Sequence, residues 1–335
     1  IAGVSTVSTT GAFTVPVGPT EMRGGRGRGV FAGGYVSGNA PSGHSDVIDY
    51  VEIATTGNAA DFGDLSVRRY NVSGCASATR GLFMGGQGTP SAIFNTIDYV
   101  TISSSGGASD FGDLNTPGAT DGKVQSGAST SNNTRGLYLG GHSPDTTAGS
   151  GGRQNIIQFI TIASTGDASE FGDITVYSQG SQACSSPTRA VRGAGAGNPA
   201  NQQVMDYVTI ATRGDAIHFG ELASILGLFP TSLSSTTRGI FAGGSTPTKL
   251  NTIEYITIAT LGNATDFGDL TVITYGAGGS SNQVRGVIAG GGSPSGDRSQ
   301  INYINISSAA NALDFGDLTA RATVAGCSDS HGGLG

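Results

Sequence analysis

Six phenylalanines keep time along this chain: Phe62, Phe111, Phe171, Phe219, Phe267 and Phe315, separated by 49, 60, 48, 48 and 48 residues. Each is the centre of a short acidic phrase. It reads DFGDL at 61–65, 110–114, 266–270 and 314–318, EFGDI at 170–174 and HFGEL at 218–222. A second aromatic keeps the same beat as Tyr50, Tyr99, Phe159, Tyr207, Tyr255 and Tyr303. Such a period means one supersecondary unit stacked on copies of itself, each burying an apolar face that it could not bury alone. The 335 residues are therefore expected to form one array, 1–335, rather than two domains. The repeats run approximately 28–66, 67–115, 116–175, 176–223, 224–271 and 272–319, leaving 1–27 and 319–335 as terminal segments.

Within a repeat no apolar residues recur at helical spacing over ten or more positions. The second copy holds YNVSGCASAT at 70–79, RGLFMGG at 80–86, NTIDYVTIS at 95–103 and SDFGDL at 109–114. Short runs of Val, Ile, Tyr and Phe bounded by Gly, Asn, Asp and Ser are strand punctuation. Four strands per repeat are expected. A small-residue strand comes first, and a tight TRG turn leads to the apolar strand ending in Gly-Gly. The IDYVTIA-type strand follows, nearly continuous in apolar residues as if covered on both faces. A short outer strand around DFGDL is last. Four antiparallel strands at this period describe a propeller blade, so the expected fold is an all-β, six-bladed β-propeller. The recurrent Tyr and Phe are read as pins between blades, each worth on the order of 2–3 kcal/mol of burial. The acids beside Phe are expected to accept backbone N–H bonds in the turn.

Ring closure has two solutions. Residues 319–335, TARATVAGCSDSHGGLG, look like a small-residue strand leading to a TRG that never arrives, and the favoured reading has them complete the first blade. In the alternative, residues 1–27, with Ser8 to Pro16 as a shortened outer strand, close the ring and the C-terminus leads onward. Either solution protects sheet edges that would otherwise template aggregation.

The Gly-Gly closing one strand and the aromatic in the outer strand resemble Kelch-type repeats, although this chain has Phe where those repeats carry Trp. More specifically, NTIDYVTIS at 95–103, GNATDFGDLT at 262–271 and TRGLFMGG at 79–86 resemble the repeats of large virion structural proteins of marine tailed phages, cyanophages among them. That resemblance covers residues 28–318. It implies a virion or extracellular location, in a tail fibre or similar adhesin, and says little about chemistry.

Composition narrows the partners. Charged residues make up 12% and the net charge is −7, so no basic stripe is available for nucleic acid. No apolar run approaches a membrane span. The first residue is Ile, as expected of a processed product or fragment. No HExxH, phosphate-binding loop, GxSxG or CxxC appears, and the expectation is a non-enzymatic chain without metal or cofactor. Cys75, Cys184 and Cys327 fall at one phase of the repeat and are read as small buried residues of an inner strand. Arg28, Arg80, Arg135, Arg189, Arg238 and Arg285 recur in every repeat. A structural role, bonding carbonyls or acids, is favoured over a ring facing an anion. Pairs such as Asp61 and Asp64 could suggest calcium, but turn-capping is the favoured role, and a resemblance to the Asp-box turn of sialidases would likewise be structural.

Variation points to function more than repetition does. The segment between Gly-Gly and the third strand differs in every copy: YVSGNAPSGHSD at 35–46, QGTPSAIF at 87–94, HSPDTTAGSGGR at 142–153, STPTKL at 245–250 and GSPSGDRSQ at 292–300. In a propeller these loops emerge on one face, and loops on a rigid scaffold are where binding is commonly placed. Tyr35, His44, Asp46, His142, Asp145, Arg153, Asp297 and Arg298 are the candidate ligand-binding residues. The expected function is recognition of a host-surface glycan through this face. The alternatives are a purely architectural subunit contacting other virion proteins, as a homo-oligomer or within a longer chain, and, less favoured, a polysaccharide-cleaving enzyme.

Overall fold

The repeat unit folds as its punctuation predicts. In the second copy Ser73–Ala76, Arg80–Met84, Thr96–Thr101 and Ser109–Asp113 pair antiparallel in sequence order. The computed structural model describes residues 6–7, 13–14, 27–37, 43–89, 91–144, 151–197, 202–245 and 248–334. Six such sheets stand around an axis, each placing its first strand innermost, and every innermost strand contacts its counterparts on both sides. The fold is a six-bladed β-propeller. Blade 1 is completed by the C-terminal strand Ala325–Ser328, which pairs with Arg28–Ala32. Most of Ser8 to Pro16 lies outside the described residues; Thr6–Val7 pairs with Phe13–Thr14. Blade 3 departs from the pattern. Its outer strand runs from Ser169 to Gln179, and Ala196–Gly197 from the next blade adds to its edge.

The third strand shows why both faces must be apolar. In blade 2, Ile97 and Tyr99 face blade 3, while Val100 faces blade 1. Phe111 joins the blade 2–3 cluster, and its equivalents occupy the other boundaries, so the recurring aromatics are indeed pins between blades. Each Phe meets the third-strand aromatic of its own blade edge-to-face, with centroids 5.9–6.1 Å apart. The recurrent arginine covers that aromatic: the Arg80 guanidinium carbon lies 4.8 Å from the Tyr99 centroid. The same guanidinium donates across the boundary, Arg80 to Ile162 O at 2.9 Å and, closing the ring, Arg285 to Ile53 O at 3.1 Å. All six arginines make this clasp to the following blade. They hold blades together and are not free to gather round an anion.

Close approach explains two recurrent glycines. Gly85 has φ +61, and a Cβ there would come within 2.4 Å of Val124 O. Gly112, in the outer-strand bulge at φ +143, packs on Gly166 of blade 3, where a Cβ would meet its carbonyl at 2.6 Å. The acidic turn differs from expectation. The carboxylates of Asp61, Asp64, Asp110 and Asp113 are exposed. The capping bond comes instead from the next blade: Asp113 N donates to Asp167 Oδ1 at 3.0 Å, and Asp317 N to Asn58 Oδ1 at 3.0 Å. The outer edge thus keeps a fringe of charge, a common guard against edge-to-edge pairing.

The three cysteines are free and buried on innermost strands. Each sulfur rests over the first backbone position past the next blade's arginine: a Cβ on Gly136 would lie 2.9 Å from Cys75 Sγ, and one on Gly239 only 2.3 Å from Cys184 Sγ. Burial pushes the Cys75 and Cys184 thiols up to about 12, so they are packing groups and not nucleophiles.

A serine ladder lines the axis. Ser185 Oγ donates to Ser131 O, Ser234 Oγ to Ser185 O, Ser281 Oγ to Ser234 O and Ser328 Oγ to Ser281 O, at 2.6–2.8 Å. Ala76 in blade 2 interrupts it. Ala76 O accepts twice, from Ser131 Oγ at 2.6 Å and from His331 Nε2–H at 2.9 Å, while His331 Nδ1 accepts from Gly333 N at 3.1 Å. The C-terminal turn Gly332–Leu334 packs beside it against blades 4 and 5. Burial lowers the His331 pKa from the ordinary histidine value of about 6.5 to about 4. The unfolded chain therefore takes up a proton near pH 6.5 that the folded chain refuses until near pH 4. Stability is unaffected above that window and falls as pH drops through it. Discounted for the residual exposure of the ring, the loss expected by pH 5 is on the order of 1–2 kcal/mol. Urea midpoints at pH 7 and pH 5 should differ more in the native chain than in His331→Gln; equal shifts would remove His331 from the account.

Candidate functional site on the loop face

The strand directions place the segments after Gly-Gly and the connections between blades on one face, opposite the TRG turns. The backbone of the residue after Gly-Gly pairs there with the incoming connection or with its own loop. Tyr35 bridges Ala322 and His44, Gln87 bridges Tyr70, and His142 bridges Gln125 and Arg153.

At the blade 1–2 boundary three rings meet. His44 stacks on Tyr70 with centroids 4.9 Å apart and planes 16° apart, and Tyr35 leans on both at 5.9 and 5.8 Å. Polar groups fix the rings. Tyr70 O–H donates to Gln87 Oε1 at 2.7 Å, and His44 Nδ1 lies 2.8 Å from Thr89 Oγ1. Burial lowers the His44 pKa, which keeps the imidazole neutral at physiological pH. Burial, with Tyr35 adding to it, raises that of Tyr70. The result is an uncharged aromatic surface, 38% exposed at Tyr35, rimmed by hydroxyl and amide groups. An aromatic face with hydrogen-bonding groups at its edge can take a ligand that has one apolar and one hydroxylated side.

The other candidates divide. Asp297, on the blade 6 loop, accepts from Ser37 N and ties that loop to the one carrying Tyr35. Asp46 accepts from Arg68 Nε at 3.1 Å, and Arg298 donates to Gln300 Oε1 at 2.7 Å, so both brace loops. His142 and Arg153 pair with each other in blade 3, apart from the aromatic cluster. Burial and then the Arg153 charge lower the His142 pKa. Asp145 lies outside the described residues. Tyr70, Gln87 and Thr89 are the members that sequence reasoning did not single out. The sequence puts Tyr70 at the head of the innermost strand, but that strand starts at Ser73, leaving Tyr70 in the connection. Its signal was an aromatic in a segment otherwise made of small and polar residues.

Among the described residues, no group of three or more His, Cys, Asp or Glu is arranged to hold a metal ion. Compared with known proteins, the chain matches no protein-family model and no curated sequence.

Proposed function

We propose that this propeller is a non-enzymatic recognition module that binds glycan on a host cell surface through its loop face, as a tail-fibre-like part of a phage virion. The observation that carries the binding reading is the Tyr35–His44–Tyr70 cluster. It is neutral, solvent-accessible and held from below by Gln87 and Thr89. The C–H face of a sugar ring stacks on such a surface while its hydroxyls exchange bonds with the rim. Single-site affinity of this kind is modest, and many copies on one particle would raise it by avidity. The virion placement rests on the resemblance of the repeated phrases alone.

The architectural alternative calls for a large apolar contact surface. Among the described residues, the most exposed large apolar side chains are Ile217, Leu261, Val284 and Leu313, spread over blades 4, 5 and 6. Apolar residues scattered singly are ordinary surface. This dispersal supports recognition over packing.

Tyr70→Ala is the deciding variant. In calorimetric titration with a glycan that the native chain binds, it should weaken binding at least tenfold, with an unchanged circular dichroism spectrum. Unaltered affinity in this folded variant would move the site off the blade 1–2 boundary.

A further inference from the structure

The C-terminal turn does more than end the closing strand. Ala325–Ser328 is held in blade 1 by its pairing with Arg28–Ala32, and Ser328 Oγ ties it to Ser281 O of blade 6 at 2.6 Å. Residues 331–334 leave that strand and cross the TRG end of the axis, meeting the other five blades. His331 reaches Ala76 O of blade 2 at 2.9 Å. The two glycines lie flat on carbonyls: a Cβ on Gly333 would collide with Ser131 O of blade 3, and one on Gly332 with Ser185 O and Ser235 O of blades 4 and 5. From blade 6 the Gln283 amide donates to Ser330 O and His331 O, at 3.2 and 3.0 Å. The turn thus lies over the mouth of the serine-lined channel, and His331 is part of the channel wall.

The hold on this turn centres on one imidazole. Its Nε2–H donates to Ala76 O, with Ser131 Oγ 3.3 Å away, and its Nδ1 accepts from Gly333 N at 3.1 Å. Leu334 N then donates to His331 O at 3.0 Å. The apolar anchor is Leu334, and the Gln283 amide is the further side-chain bond from a neighbouring blade. Both ring nitrogens are in use, and the pattern requires the neutral tautomer with hydrogen on Nε2. A second proton goes to Nδ1, where it meets Gly333 N–H. Two donors then face each other, and the bond that folds the turn is lost. Nothing charged bonds to the ring to offset that proton. The ionisable groups on the innermost strands round it are the Cys75, Cys184 and Cys327 thiols, which burial keeps neutral. Asp329 accepts from Gly27 N and Arg28 N, and the Arg28 guanidinium donates to Glu52 and Ile102 O.

We propose that residues 331–334 form a proton-released cap, seated over the channel mouth while His331 is neutral and freed into solvent, with the six-bladed ring still closed, once Nδ1 is protonated. Release is local because the ring is shut by other groups. The Ala325–Ser328 pairing and the Ser328 bond contain nothing that titrates between pH 7 and pH 4. In the freed turn His331 has the ordinary histidine value of about 6.5, and in the seated turn burial holds it at about 4. The seated value is the depressed one, so the cap keeps its full hold above about pH 6.5 and loses it as pH falls toward 4. With a discount for the half-buried ring, the ratio of seated to freed cap should fall on the order of tenfold between pH 7 and pH 5. This device is independent of what the loop face binds.

The test is amide hydrogen exchange of the full chain at pH 7 and pH 5, each rate divided by its intrinsic value. Protection at Gly333 and Leu334 should fall about tenfold, while the amides of Ala325–Ser328 keep theirs. In His331→Gln the protection at 333–334 should be the same at both pH values. Gln283→Ala, which removes a bond to the cap and leaves the imidazole in place, should lower protection at 333–334 at both. Equal losses at 325–328 and 333–334 would mean that the proton opens the ring itself and would overturn the cap. So would protection at 333–334 that ignores pH, or that still falls in His331→Gln. Should His331→Gln fail to fold, the His331 ring is titrated by magnetic resonance in the native chain. Its midpoint must then coincide with the loss of protection at Gly333, and a ring that titrates while Gly333 stays protected overturns the proposal.

Discussion

Asp98→Ala is expected to cost about 3–5 kcal/mol, because it strands a buried guanidinium. Asp98 and Arg69 are both fully inaccessible and 2.8 Å apart. Arg69 also donates to Gly85 O and Thr96 O, at 3.0 and 2.9 Å, and to Phe83 O at 3.2 Å. Without Asp98 the positive charge keeps only carbonyls. The loss should appear as a lower urea midpoint with an unchanged slope. Converting the pair together, Asp98→Leu with Arg69→Met, should recover much of it, since apolar replacement of a buried pair is often close to neutral. Asp46→Ala is the control. Its partner Arg68 is 66% exposed, and such surface pairs contribute about 0–1 kcal/mol. An equal effect from Asp46→Ala and Asp98→Ala would contradict the burial argument.

The second large effect is expected from removing residues 325–335. That deletion takes away the strand paired with Arg28–Ala32 and exposes Val30 and Phe31, both at 0% accessibility. It also removes Asp329, whose Oδ1 accepts from Gly27 N and Arg28 N at 3.0 and 2.9 Å, and the His331 bond to Ala76 O. The contacts between the innermost strands of blades 1, 2 and 6 go with it. An open ring leaves a bare inner edge, a template for pairing with another chain. The truncated chain should aggregate or melt without a cooperative transition, and a synthetic 322–335 peptide should restore the monomer. A truncated chain that stays monomeric with the native midpoint would mean the ring does not depend on this closure.

The architecture was legible because repetition multiplies a weak signal. One DFGDL is a turn, but six at a fixed interval are the outer strands of six blades, and the unmatched small-residue segment at 319–335 shows where the ring shuts. The buried acids were harder to see. Asp49, Asp98, Gln158, Asp206, Glu254 and Asn302 occupy one position of the third strand, a polar residue in every copy of an otherwise apolar run. Their periodicity was visible, but their partners do not repeat. Arg69 and Arg321 come from inter-blade connections, Arg192 comes from a second strand, and Gln158, Glu254 and Asn302 are met by backbone and hydroxyl groups. The acidic turn misled for a related reason. Its carboxylates mark the turn, but the capping side chain is supplied by the next blade, a contact about 42–54 residues away. At the loop face, Tyr35 and His44 were readable as chemistry in variable loops. Tyr70 was not, since it lies in a connection whose role depends on where the ring brings it.

The most direct test of the account is binding of the purified chain to a broad array of bacterial and algal glycans. The account predicts saturable binding to a subset of neutral glycans, absent in Tyr70→Ala. A folded chain that binds none of them, while assembling with itself in solution, would contradict recognition by this face and return the propeller to an architectural role.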